Sequence, residues 1–286
     1  MSLDKNWFTE EAAGAGCALS LKIVNKIHEE QTPYQLLEIY QTETFGNLMT
    51  LDGLVMLTDR DNFIYHEMMA HPALFSHPDP KKVLIIGGGD CGSLLEVLKH
   101  SSVTHADQVE LDERVTRVSE RFFPDLCKSN NDPRAHLHFT DGIKWIEECA
   151  PETYDVIIID STDPVGPAEG LFTSEFYHNC LQALGPQGVI VAQSESPLIH
   201  AHIITKMHKS LHDAGFVDTA TLQFAQCSYP SGWWSATMGC KQGSLSDFRA
   251  QDAAGKRFAT RYYNADIHQG ALAQPEFLRN ALDKNH

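Results

Sequence analysis

The pattern of apolar and polar positions changes character once along the chain. Up to about residue 60, apolar residues recur in short alternating runs. Leu19, Leu21 and Ile23 alternate with polar neighbours, Leu36 to Tyr40 forms a second run, and Leu48-Met49-Thr50-Leu51 and Val55-Met56-Leu57 form two more. A period of two marks strands with one buried face. Asp52-Gly53 stands between the last two runs and suits a tight hairpin turn. Residues 1–60 therefore read as a small antiparallel β domain.

Residues 61–286 follow a different rhythm. Phe63 to Phe75 reads as a helix that ends at the Pro78–Pro80 break. Val83-Leu84-Ile85-Ile86 is continuous and apolar, as expected for a strand covered on both faces. Strands at Gln108–Leu111, His136–Thr140, Asp155–Ile159 and Val189–Ala192 then alternate with helices at Ser93–His100, Glu113–Leu126, Ile143–Cys149, Phe172–Leu184 and His200–Ala214. Two last strands, near Thr219–Phe224 and Ser235–Cys240, close the sheet. Repeated βα units predict an α/β fold with a doubly wound, mostly parallel sheet. Such sheets hold ligands at the carboxyl ends of their strands. Gly87–Gly92, Glu110, Asp141-Gly142 and Asp160 to Asp163 should therefore meet at one crevice.

Charge narrows the class. The 286 residues carry 22 Lys and Arg against 38 Asp and Glu, a formal charge of −16. That balance argues against nucleic-acid binding and favours cationic small molecules. Seven cysteines without a CxxC pair give no zinc knuckle or redox dithiol, and fit free thiols in a reducing compartment. The N-terminus has no basic segment followed by an apolar one, and no apolar run reaches about 18 residues. A cytoplasmic protein without a signal peptide or membrane span is expected. His66-Glu67 with His71 nearly matches a zinc-protease motif, but the histidines are five apart. No metal is assigned.

The candidate chemistry lies in two loops. Gly87-Gly88-Gly89-Asp90-Cys91-Gly92 matches GxGxxG between a strand and a helix, with Glu110 downstream as a ribose-binding carboxylate. Asp90 opposes the dinucleotide reading, because it would face a pyrophosphate with no basic residue in the loop. An S-adenosyl compound reverses the sign: it carries a sulfonium and no phosphate. Glu110 can take its ribose hydroxyls, Asp141 and Gly142 its adenine edge, and Asp90 an ammonium beyond the sulfur. Asp90 can also cap the helix that follows. In the second loop, Asp160-Ser161-Thr162-Asp163-Pro164 puts two carboxylates three residues apart at a strand end.

VLIIGGGD, VELD, TDG and DSTDPVGPAEGLFTSEFY, in that order and spacing, resemble the polyamine aminopropyltransferase family, spermidine synthase and its relatives. LDGLVMLTDRDNFIYHEMMAHPAL, AQSES, YPSG and RYYNADIH extend the resemblance over nearly the whole chain. It implies a Rossmann-like, methyltransferase-type sheet. It also implies aminopropyl transfer from decarboxylated S-adenosylmethionine, a co-substrate rather than a cofactor, to putrescine. Asp160 matches the general base. Gln35, Gly87, Asp90, Glu110, Asp141, Gly142 and Pro167 match the nucleoside and donor site. Tyr65, His66, Asp163, Gln193 and Tyr229 match the acceptor side. A homodimer or homotetramer is implied.

Two departures stand out. Cys91 replaces a glycine and should narrow the nucleoside end of the pocket. Trp233-Trp234 follow YPSG and either reshape the amine pocket or pack in a β edge or subunit contact. Alternatives are another acceptor (cadaverine, agmatine or a longer polyamine), an S-adenosylmethionine-dependent amine N-methyltransferase, an NAD-dependent oxidoreductase, or a polyamine-binding protein without catalysis.

Overall fold

The computed structural model describes residues 4–162 and 170–283. The chain first builds a five-stranded antiparallel sheet from β1 (Trp7–Ala12), β2 (Cys17–Gln31), β3 (Leu36–Thr42), β4 (Asn47–Leu51) and β5 (Leu54–Thr58), paired in that order. Leu51 pairs with Leu54, so Asp52-Gly53 is a two-residue loop with φ of 49° and 81°. Two positive φ values are what this turn type demands, which is why Asp and Gly occupy it.

After helix α1 (Asn62–Ser76) the chain enters a seven-stranded sheet. Its strands are β6 (Lys82–Gly87), β7 (His105–Glu110), β8 (Ala135–Phe139), β9 (Tyr154–Asp160), β10 (Leu184–Gln193), β11 (Asp218–Ala225) and β12 (Trp233–Cys240). The spatial order is β11-β12-β10-β9-β6-β7-β8, parallel from β8 through β10 and antiparallel at the β12 and β11 end. Strand order reverses between β6 and β9. That switch point opens a crevice at the strand ends.

The central strands show why their sequence is uniformly apolar. Val83 and Ile85 pack on one face with Met68 and Met69 of α1 and with Leu94 and Val97 of α2 (Gly92–Leu98). Leu84 and Ile86 point to the other face. There they meet Ile146 of α4 (Gly142–Glu147), Phe176 and Tyr177 of α5 (Ser174–Ala183), and Met207 and Leu211 of α6 (Ala201–Ala214). Two-sided burial removes the alternation of polar residues seen in the first sheet.

The first sheet docks through a smaller core. Leu37, Ile39, Met49 and Leu57 pack on Val115 and Val118 of α3 (Glu113–Phe122). Three short helices, α7 (Ala250–Ala254), α8 (Ala265–Ala271) and α9 (Glu276–Asp283), follow the last strand. The α3 helix is shorter than expected. It stops at Phe122, and the chain continues into a 3-10 turn at Leu126–Ser129. Pro124 in between lacks the N–H an α-helix needs. No helix among the described residues is long and apolar enough to cross a membrane.

Candidate active site

A cavity of about 350 Å³ opens at the switch point, and residues from both sheets line it. Of the residues expected there, Gln35, Tyr65, Gly87, Asp90, Glu110, Asp141, Gly142, Asp160 and Tyr229 stand on its wall. Asp163 and Pro167 lie outside the described residues. Among the described residues no lysine or arginine lines the cavity.

The glycine loop places the first carboxylate. Gly87 has φ of 82°, and a side chain there would collide with the Asp160 carbonyl. The adjacent Gly88 N–H donates to that carbonyl at 2.7 Å. β6 and β9 are thus clamped where their loops diverge. Asp90 then accepts from the Gly92 N–H through Oδ1 at 2.7 Å, so it does steer the start of α2. Its Oδ2 lies 3.1 Å from His66 Nε2. Burial pushes the Asp90 carboxyl up, but the neighbouring imidazole and the Gly92 N–H outweigh it and hold the group below its ordinary value. Burial alone would depress His66; the Asp90 carboxylate raises it to about 9. His66 is 2% exposed and does not line the cavity, because Tyr65 and His66 are consecutive on α1 and face different directions. Its ring sits behind Asp90 where any side chain at position 92 would strike it.

Glu110 ends β7. Its Oε1 accepts from the Asp112 N–H at 2.8 Å. Burial, with the charges of Asp112 and Asp160, lifts its carboxyl to about 7 despite that bond. Gln35 reaches across from the first sheet and donates to Asp112 Oδ2 at 3.0 Å, an oxygen also bonded by Thr32 Oγ1 at 2.7 Å. Asp112 caps α3 through the Arg114 N–H. One carboxylate therefore fixes the helix, Gln35 and the edge of the site. Asp141 caps α4 in the same way, through the Ile143 N–H at 2.9 Å.

Asp160 ends β9, and both its oxygens are engaged: Tyr65 Oη donates to Oδ1 at 2.8 Å and Ser93 Oγ to Oδ2 at 2.6 Å. Burial and the negative charge of Asp90 hold its carboxyl above the ordinary value, against the opposing effects of His66, Ser93 and Tyr65. Tyr229 Oη donates to the Met56 carbonyl at 2.6 Å, which ties the second sheet to the β4–β5 hairpin of the first. Gln193, 2% exposed at the end of β10, stands behind the wall and donates to the Thr162 carbonyl at 3.4 Å.

Several expectations change here. Cys91 does not narrow the pocket. It is fully buried and absent from the wall, with its Sγ 3.6 Å from the Gly89 carbonyl and from Gln108 Nε2. Its φ of 68° explains why glycine suits the position. The tryptophans also stay off the wall. Trp234 packs edge-on against Tyr229 at 4.7 Å, whereas Trp233 meets Phe277 of α9 at 5.9 Å. The His66, Glu67 and His71 side chains take separate partners. Glu67 accepts three backbone N–H groups from Arg261, Tyr262 and Tyr263, and His71 Nε2 lies 3.0 Å from Glu96.

Sequence reasoning missed Ser93, Asp112, Thr32 and Met56 as parts of the site. Asp112 carried a signal, an Asp directly before a helix. Ser93 carried only its place in the first turn after the glycine loop.

The fold and the cavity first define a class: a Rossmann-like, methyltransferase-type α/β enzyme with an acidic, nucleoside-sized cleft between two sheets. The family model "Spermine/spermidine synthase domain" matches residues 62–249, and "Spermidine synthase tetramerisation domain" matches residues 6–59. A polyamine aminopropyltransferase of Thioalkalivibrio sulfidiphilus is 62% identical over 99% of both chains. One of Nitrosococcus oceani is 59% identical over the full length of both. A solved spermidine synthase, in complex with the transition-state analogue AdoDATO, superposes with a TM-score of 0.94 at 35% identity. That match covers 99% of this chain and 97% of the other. The spermidine synthase of Thermotoga maritima superposes at 0.92, also 35% identical, over 97% and 94% of the two chains. The chain belongs to the spermine/spermidine synthase family, the polyamine aminopropyltransferases.

Proposed function

We propose that the protein transfers the aminopropyl group of decarboxylated S-adenosylmethionine to putrescine, giving spermidine and methylthioadenosine, with Asp160 as the general base. The observation that carries this reading is the convergence of Asp90, Glu110 and Asp160 on one cavity whose described wall holds no lysine or arginine. Such a wall suits a cationic nucleoside and an amine and repels a pyrophosphate. The AdoDATO complex of the 35% identical spermidine synthase supports the same donor class.

In this reading Glu110 accepts the ribose hydroxyls, with Gln35 beside it. Asp141 and Gly142 meet the adenine edge, and Gly87 lets the backbone approach. Pro167 flanks the adenine. Asp90 takes the ammonium of the aminopropyl arm. Its negative charge selects the decarboxylated donor, since ordinary S-adenosylmethionine would bring a carboxylate to the same place. Tyr65, Tyr229 and Asp163 belong to the acceptor side; His66 and Gln193 act from behind it, through Asp90 and the Thr162 carbonyl.

An alkylammonium has a pKa of about 10, taking lysine as the guide, and is not nucleophilic while protonated. Asp160 takes one proton from it. The freed nitrogen lone pair attacks the carbon beside the sulfonium, the C–N bond forms as the C–S bond breaks, and the electron pair leaves on sulfur. Methylthioadenosine is then a neutral thioether, and the proton passes from Asp160 to solvent. Because the leaving group is neutral, the displacement calls for neither a metal nor a covalent enzyme intermediate. General base catalysis of this kind contributes about 10²–10⁴-fold. The match to a tetramerisation domain over residues 6–59 supports self-association, as a homodimer or homotetramer.

The test is Asp160→Asn with mass-spectrometric identification of products from decarboxylated S-adenosylmethionine and a panel of amines. The variant should fold, bind methylthioadenosine and lose at least about 100-fold in turnover. Near-normal turnover would overturn the base assignment. A wild-type product made from cadaverine or agmatine in preference to putrescine would overturn the acceptor, and S-adenosylhomocysteine as product would place the protein with the methyltransferases.

A further inference from the structure

The Asp160 carboxylate is gripped by hydroxyls from two helices. Tyr65 of α1 holds Oδ1 and Ser93 of α2 holds Oδ2, at 2.8 and 2.6 Å. Ser93 is fully buried. Serine is a poorer helix former than alanine, and a buried hydroxyl costs free energy unless it is bonded. Its bond to Asp160 meets that condition and gives the position a reason to be polar. The carboxylate is fixed along its backbone as well, through the Gly88 N–H on the Asp160 carbonyl.

We propose that Ser93 is a positioning residue for the base: it locks the plane of the Asp160 carboxylate and favours its ionised form. This rests on Asp160 being the base, as argued above. The groups that face Asp160 make the need clear. Asp90, from the loop after β6, repels it, as does Glu110 from β7. Burial also works against its charge. On the other side stand His66 and Tyr65 from α1 and Ser93 from α2. His66 is 3.1 Å from Asp90, so its charge is shared with that carboxylate. Hydrogen bonds to a carboxylate lower its proton affinity. Ser93 and Tyr65 therefore supply, at the carboxylate itself, what burial and Asp90 remove. With one hydroxyl on each oxygen the group cannot turn freely, and a lone pair remains on each to receive the proton of the amine.

The experiment compares Ser93→Ala and Ser93→Thr with wild type and with Asp160→Asn, measuring kcat and KM against pH, methylthioadenosine affinity and thermal stability. For Ser93→Ala we expect unchanged methylthioadenosine binding and an acid limb of kcat moved up by about one pH unit, the size of a lost hydrogen bond to a charged group. On that limb kcat falls about tenfold. Removal of the bond raises the proton affinity of Asp160, so the ionised fraction is lost at higher pH; the shift must be upward. Ser93→Thr, which keeps the hydroxyl, should return the limb towards wild type. A Ser93→Ala limb that stays in place while Asp160→Asn is inactive overturns the Ser93 proposal alone. A fall of kcat in step with lost stability and lost nucleoside binding also overturns it, since that is a packing role. Near-normal turnover by Asp160→Asn overturns the base reading itself, and this proposal with it.

Discussion

Replacing Asp90 by asparagine separates the two halves of the donor. Asp90 keeps its place at the head of α2 in the variant, because asparagine can still accept from the Gly92 N–H through its amide oxygen. What disappears is the negative charge. A pair of unit charges about 4 Å apart at an effective dielectric of about 20 is worth about 4 kcal/mol. The free protein already has a partner for that charge, His66 at 3.1 Å, so donor binding exchanges one cation for another. The net loss should sit at the low end for truncating a buried charged pair, about 2 kcal/mol, or about thirtyfold in Kd. Methylthioadenosine carries no ammonium and should bind as tightly as before. Isothermal titration of both ligands against Asp90→Asn and wild type gives the answer. An equal loss for both ligands would mean that Asp90 shapes the loop rather than reads charge, and an unweakened donor would remove it from the site.

Glu110 sets a pH dependence. Burial lifts its carboxyl to about 7 in the free protein, so its ionised form, the one assigned to the ribose hydroxyls in the proposed function, grows as pH rises through 7. Methylthioadenosine affinity should rise from pH 6 to 8 and then level, whereas Glu110→Gln should bind more weakly with no such rise; parallel profiles refute the assignment. The sign for stability is opposite. A carboxyl whose folded value is raised contributes stability that is full below its ordinary value and is lost as pH passes about 7, so the nucleoside-free protein should melt lower at pH 8 than at pH 6 on this account. Cys91→Gly should be more stable than Cys91→Ala by about 1 kcal/mol in urea unfolding. Both remove the buried thiol, but alanine keeps the cost of a left-handed φ of 68°. Donor KM should hold in both, and the reverse order of stability would place the strain elsewhere.

Much of this architecture is local and therefore legible in the sequence. The unbroken apolar run at Val83–Ile86 announced a strand covered on both faces, and Asp52-Gly53 a tight hairpin, because burial period and φ preference are properties of a few consecutive residues. The strand ends could also be placed in one crevice, since the switch-point rule turns strand order into proximity. Side-chain direction was not legible. Tyr65 and His66 are neighbours in sequence, yet one bonds Asp160 on the cavity wall and the other lies behind Asp90. Cys91 interrupts the glycine loop but turns its thiol inward, and Trp233 and Trp234 diverge to Phe277 and Tyr229.

The charge logic of the site was fixed by composition and motif spacing alone: an acidic loop without lysine or arginine wants a cation, whatever the fold around it. Which hydroxyls hold Asp160 and which imidazole shares the charge of Asp90 depend on residues 24 to 95 positions apart in the chain meeting within about 3 Å. Those pairings are long-range, and no local pattern encodes them. Tertiary packing of α1 and α2 against the strand ends decided them.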